Sequence, residues 1–161
     1  MNVTDAILTR RNIKRFKPDP IAIERVVAWL ELASFAPNHR LAEPWEILFI
    51  GPQTREKLQH KTDFGGAPLL LAVVATPAKT AIDRDEHVEA VACFIQNLML
   101  AAHAEGVGTG WSSIGASPRV QELFGLLPGY EVIGVLPIGY PAEVPEPKPR
   151  TSIEQKITHL P

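Results

Sequence analysis

The chain has 161 residues, of which 45% are apolar and 21% charged, with a formal net charge of −2 and a single cysteine. That length and mixture fit one soluble domain able to bury a core without staples, and the small negative charge gives no whole-molecule field to attract a polyanion. Cys93 alone can form neither an internal disulfide nor a cysteine-rich zinc site, no apolar run approaches the about 18 residues of a membrane span, and the N-terminal charges follow their short apolar stretch, the wrong order for a signal peptide; the expectation is a soluble cytoplasmic protein.

In chain order, Thr4 and Asp5 are candidate caps for a short helix through ILTRR (7–11), and Asp19-Pro20 opens a second helix over 21–35. Ile23, Val26, Val27, Leu30 and Ala33 or Ser34 recur there at helical spacing, with Glu24, Arg25 and Glu31 on another face. WEILFIG (45–51) reads as a strand and PQTREKLQH (52–60) as a short helix. PLLLAVVAT (68–76) is a continuous aliphatic run whose length and valine content suit a strand buried on both faces. The longest helix runs from about Asp83 to Glu105. Val88, Val91, Ala92, Ile95, Met99 and Ala102 form one stripe and Phe94, Leu98 and Ala101 extend it, which marks a domain core or a subunit interface; Cys93 lies within it and reads as a core residue. Gly106 stops that helix. VGTGWSS (107–113) reads as a strand, Ser117-Pro118 caps a helix over 119–125, and EVIGVLPIGYP (131–141) is a further strand. Five prolines between Pro137 and Pro149 mark an extended arm over about 141–161, ending in a short helix at 152–158. The expected fold is a single α+β domain over 1–161, a mostly antiparallel central sheet packed by helices around one long buried helix.

Candidate chemistry begins at TRRNIKRF (9–16), with four cationic side chains in eight positions. On a helix Arg10 and Lys14 share a face and Arg11 and Arg15 the adjacent one. Three readings stand: a solvated face, a nucleic-acid patch, and half of a phosphate clamp. The patch lacks further basic surface and interleaved aromatics. The clamp gains from Lys148 and Arg150 in PKPR, because guanidinium groups meet phosphate oxygens through paired, charge-assisted hydrogen bonds. GVGTG (106–110) follows a helix and precedes a strand, the reverse of the dinucleotide fingerprint, so it reads as a helix stop followed by close backbone approach. The five histidines show no metal-ligand spacing, and there is no nucleophile elbow or P-loop, so a cofactor has to carry any hard chemistry and no metal is expected.

Taken together and in order, RRNIKRF, APNHRLAEPWEILFI, FIQNLMLAAHAEGVGTGW, VIGVLPIGYP and the terminal KPR resemble the FMN-dependent nitroreductase family, in particular its compact bacterial members. The resemblance implies a homodimer with FMN at the subunit interface, reduced by NADH or NADPH, that passes hydride by a ping-pong cycle to a nitro compound, a quinone or a related small acceptor. The alternative is an FMN-binding carrier or sensor with little turnover. Flavin N5 would carry the reaction, with no catalytic side chain. Arg10, Arg11 and Asn12 match the family's Arg-Arg-Ser opening that holds the phosphate and ribityl chain, with Asn12 in the serine position and Lys14 beside it. His39, in a loop shaped by Pro37 and Asn38, would approach the flavin from the partner subunit. Gly110, Trp111, Ser112 and Ser113 match the segment beside the isoalloxazine ring, and Lys148 and Arg150 would close on the phosphate. Between LQHKT and PLLLAVVA the family has a longer helical segment; here DFGGA (63–67) replaces it, and Gly65-Gly66 is read as a tight turn.

Overall fold

The computed structural model describes residues 1–161. Four strands, β1 (Trp45–Phe49), β2 (Leu69–Ala75), β3 (Gly108–Thr109) and β4 (Glu131–Gly139), form one sheet in the order β1-β2-β4-β3, with every pair antiparallel. Five helices surround it: α1 (Val3–Thr9), α2 (Ile23–Ala33), α3 (Pro52–Leu58), α4 (Ala81–Ala104) and α5 (Pro118–Leu123).

The aliphatic run of β2 is buried on both faces, as its composition implies. Leu71, Val73 and Ala75 join a core with Val26 and Trp29 of α2 and Phe94, Ile95 and Leu98 of α4. Leu70, Ala72 and Val74 point the other way, into a second core with Ile13, Phe16, Leu58, Phe64, Val120 and Val135. Strand side chains alternate, so one continuous apolar run serves two layers at once. Phe94 is 1% exposed, and truncating such a ring to alanine costs about 3–5 kcal/mol.

Where the structure differs from the sequence reading, tertiary contacts decide. Arg10–Phe16 is not helical: α1 ends at Thr9, and it is capped by Asn2, whose Oδ1 accepts the Asp5 N–H at 2.9 Å, instead of by Thr4 or Asp5. The Ile13 N–H donates to the Thr109 carbonyl at 2.9 Å and the Phe16 N–H to that of Gly65 at 3.0 Å, so a sheet edge and a turn capture backbone donors that a helix would need. The shared helical face of Arg10 and Lys14 therefore does not exist. In α2 the buried positions are Val26, Trp29 and Ala33, while Ile23 and Val27 are exposed; the indole of Trp29 turns the stripe. Cys93 is exposed on α4, because the helix seats Ala90, Val91, Phe94, Ile95 and Leu98 against the core and leaves Glu89, Cys93 and Gln96 outside. Regular β3 covers only two residues of 107–113. The chain still follows β4, the Gly110 N–H donating to Pro137 and the Ser112 N–H to Val135, each at 2.9 Å. The terminal helix is a single 3₁₀ turn at Ile153–Lys156, without a buried residue.

Candidate functional site

The site lies at the β3 edge of the sheet, where the extended Arg10–Phe16 segment runs beside Thr109–Ser113. Asn12 bridges Thr109, and its side-chain Oδ1 accepts the Trp111 N–H at 3.1 Å. The register of β2 against β4 slips between Val73 and Val74, leaving Ile133 as the extra residue of a bulge. The indole Nε1–H of Trp111 donates to the carbonyl of that residue at 3.1 Å. A Cβ on Gly134 would stand 2.8 Å from the same nitrogen, so glycine there makes room for the ring. At Gly110 a Cβ would come within 2.9 Å of both the Ile13 carbonyl oxygen and Pro137 Cγ, so only glycine lets these segments meet.

Two clefts open on either side of this seam. The first, of about 800 Å³, is walled by Asn12, Lys14 and Arg15, by Gly110–Ser113, and by His60, Thr62, Phe64 and Gly65. Its far wall is the DFGG turn. Asp63 and Phe64 adopt φ of 44° and 52°, followed by Gly65 and Gly66 at 68° and 72°. Arg55 holds this left-handed run by donating to Asp63 Oδ1 at 2.7 Å, to the Asp63 carbonyl at 2.8 Å and to the Ala67 carbonyl. His60 stacks on Phe64, ring centroids 3.9 Å apart, and its Nδ1 accepts the Phe64 N–H at 3.0 Å.

The second cleft, of about 770 Å³, gathers Arg10, Arg11, Lys14, Lys148 and Arg150, with Glu146 as the one carboxylate in its lining. Residues from the two ends of the chain thus converge on one cavity. Burial lowers the Arg10 pKa from its ordinary value, and Arg11 and then Arg150 push it further in the same direction. A half-buried cation facing two others is a site short of negative charge. Arg11 spends part of its guanidinium on the end of α1, donating from Nη1 to the Leu8 carbonyl at 2.8 Å and the Arg10 carbonyl at 3.0 Å. Asn12 and Lys14 line both clefts, so the two adjoin, and together they form a trough.

Of the residues singled out in the sequence, this trough unites Arg10, Arg11, Asn12, Lys14, Gly110, Trp111, Ser112, Ser113, Lys148 and Arg150. His39 is not among them. It stands beside the outer part of α4, with Nδ1 4.0 Å from Glu86 Oε1, and lines a separate cavity of about 120 Å³ with Asp83 and His87. Sequence reasoning missed His60, Thr62, Phe64 and Arg15 as wall residues. The Gly65-Gly66 pair was the one local signal, and it marked a turn without saying what the turn faces.

The trough has the parts an FMN molecule requires: a cationic end for a phosphate monoester, a middle with the Asn12 amide, and a wide end where backbone and aromatic groups can meet a planar ring. The residues fit the group.

Comparison with known proteins agrees. The family model described as Nitroreductase family matches residues 7–63 and 59–140. The Bacillus subtilis (strain 168) protein YfhC, provisionally named an NAD(P)H nitroreductase, is 33% identical over 97% of this chain and 93% of its own. A crystal structure of a nitroreductase-like family protein from Bacillus cereus superposes with TM-score 0.89 at 29% identity, over 99% of this chain and 96% of that one. The NADPH:FMN oxidoreductase of Vibrio harveyi, solved with NAD⁺, shares the fold at TM-score 0.87 and 21% identity, over 97% of this chain and 76% of its own. With the matched segments covering most of the chain and the fold and trough in agreement, the chain belongs to the nitroreductase family.

Proposed function

We propose that the chain is an FMN-dependent NAD(P)H oxidoreductase that reduces a nitro compound, a quinone or a related small acceptor, and that it works as a homodimer. The observation that carries this reading is the pair of adjoining clefts, one cationic where Arg10, Arg11, Lys148 and Arg150 meet and one wide where Gly110–Ser113 face the DFGG turn. The naming of YfhC and of the Vibrio harveyi oxidoreductase supports it.

FMN, when bound, supplies the two-electron relay between NAD(P)H and the acceptor, so that NAD(P)H, a proton and a quinone become NAD(P)⁺ and a hydroquinone. The chain's own residues bind and orient. Arg10, Arg150 and the free edge of the Arg11 guanidinium would hold the phosphate, whose charge would offset the burial and the like-charge repulsion that together lower the Arg10 pKa. Asn12, with its carbonyl oxygen committed to Trp111, keeps its amide N–H₂ for the ribityl hydroxyls. Lys14 stands at the junction of the clefts, placed to face negative charge on the ring's polar edge. Gly110 lets the backbone approach, and the bulge and Gly134 fix the Trp111 indole. No side chain is asked to act as general acid or base.

The homodimer reading draws on apolar side chains left outside both cores, among them Phe35 at 86% and Leu41 at 81% exposure, which flank the loop carrying His39. In that arrangement His39 reaches the partner's flavin, which accounts for its distance from its own chain's trough.

The experiment is titration of the purified protein with FMN, followed by NADH and NADPH oxidation with a quinone and a nitroaromatic. A flavin spectrum with turnover supports the proposal. A protein that binds FMN and turns over neither acceptor class is instead a flavin carrier or sensor, and one that takes up no FMN overturns both readings.

A further inference from the structure

The phosphate end accounts for Arg10, Arg11, Lys148 and Arg150, but not for the charge in the wide cleft. There the lining from this chain holds Lys14, Arg15 and His60 and not one carboxylate. Arg15 lies outside the phosphate cleft and has only a loose partner, Glu143 Oε2 at 4.0 Å from Nη1, with both side chains largely exposed. Such an exposed pair is weak and leaves Arg15 free to turn inward.

His60 is the fixed donor of this wall. Its Nδ1 accepts the Phe64 N–H, so the neutral ring carries its proton on Nε2, and that nitrogen has no protein partner. The ring cannot easily turn away: it stacks on Phe64, Arg55 ties the turn at Asp63 and Ala67, and the Gly65 carbonyl accepts the Phe16 N–H at 3.0 Å. Donors held in advance without a matching acceptor select the ligand that supplies one.

Building on the proposed function, we infer that the wide cleft selects acceptors carrying a carboxylate or similar anionic group, gripped by Arg15 with the His60 Nε2–H beside it. In the proposed function Lys14 faces the ring's polar edge, which leaves Arg15 as the cation available to the acceptor. The DFGG turn, through the Phe64 N–H that His60 Nδ1 accepts and the stacked rings, holds His60 at the cleft beside Thr62.

Calorimetric titration of benzoate and of benzamide into the FMN-saturated protein, without NAD(P)H, tests this directly. The two ligands share a ring and a shape and differ in charge. Benzoate should bind roughly tenfold tighter, and added salt should erode the difference. In Arg15→Gln, at an exposed position where folding is not at stake, the benzoate-to-benzamide ratio should fall several-fold, and in Arg15→Gln/His60→Phe it should approach one. The ratio of kcat/KM for 4-nitrobenzoate over 4-nitrobenzamide should follow the same order. Equal binding of benzoate and benzamide, or a preference that survives in the double variant, overturns the inference alone. A chain that takes up no FMN overturns the proposed function, and this inference with it.

Discussion

Asn12 Oδ1 accepts the backbone N–H of Trp111 at 3.1 Å, a side-chain bond that ties two segments 99 residues apart at the floor of the trough. The Asn12–Thr109 bridge closes the same seam two residues away, so the seam is held by backbone and side chain together.

This bond predicts an uneven response at position 12. Asn12→Ala leaves the Trp111 amide to water and should cost about 1 kcal/mol of stability, together with a several-fold loss in FMN affinity. Asn12→Ser puts a hydroxyl of shorter reach at the same place, and should recover FMN affinity better than stability. Urea unfolding and flavin fluorescence titration separate the two quantities. Identical behaviour of both variants in both assays would show that the bond carries no weight.

Gly65 and Gly66 are neighbours with nearly the same φ, 68° and 72°, but different surroundings. A Cβ on Gly66 meets nothing, whereas one on Gly65 would overlap the Lys14 carbonyl. Gly66→Ala should therefore lose only the left-handed penalty of about 1–2 kcal/mol. Gly65→Ala adds a backbone clash that pushes the Lys14–Phe16 segment off the turn, and should lose more stability and the shape of the wide cleft as well. Thermal unfolding of the pair, with FMN binding measured beside it, checks the order.

How far the sequence reached is clearest from these same residues. The two-faced burial of β2 was legible because alternation and an aliphatic run leave few other solutions, and α4 because seven buried side chains repeat at helical spacing. The convergence of Arg10 with Arg150 was legible as a charge pattern, and the structure places both in one cleft. The conformation of TRRNIKRF was not, since nothing in those eight residues signals that Gly65 and Thr109 will take their backbone hydrogen bonds. Exposure of Cys93 was hidden for a related reason. Apolar neighbours on several sides of a helix do not say which side the sheet will cover. His60 could not be found at all, because its role depends on a turn whose direction is set by contacts with Arg55 and Lys14.

Arg10 predicts opposite effects on binding and on folding. Its charge is buried among like charges, so Arg10→Ala relieves both desolvation and repulsion from Arg11 and Arg150 in the free protein. Stability of the FMN-free form should hold or rise slightly. FMN affinity should fall about 10- to 100-fold, the loss expected for a charge-assisted contact to phosphate. The defect should shrink with riboflavin, which lacks the phosphate. A variant that weakens FMN and riboflavin equally would place Arg10 away from the phosphate.

His103 gives the pH dependence. Thr9 Oγ1 donates to the Asp5 carbonyl at 2.6 Å, so its 2.8 Å contact with His103 Nε2 is a bond that the imidazole donates. Burial lowers the His103 pKa from its ordinary value of 6.5, and Arg10 and Arg11 lower it further. A depressed base means that the unfolded chain takes up the proton first as pH falls. The free protein should therefore lose stability from pH about 6.5 downward to the folded-state pKa and level off below it. Phosphate between Arg10 and Arg11 offsets two of the three causes, so FMN raises the His103 pKa and binds with proton uptake within that window. FMN affinity of the wild type should gain on that of His103→Gln as pH falls below 6.5, and unfolding of His103→Gln should lack this part of the acid limb. Comparing the two proteins cancels the titration of the FMN phosphate itself. Parallel pH profiles for FMN affinity would detach His103 from the anion site.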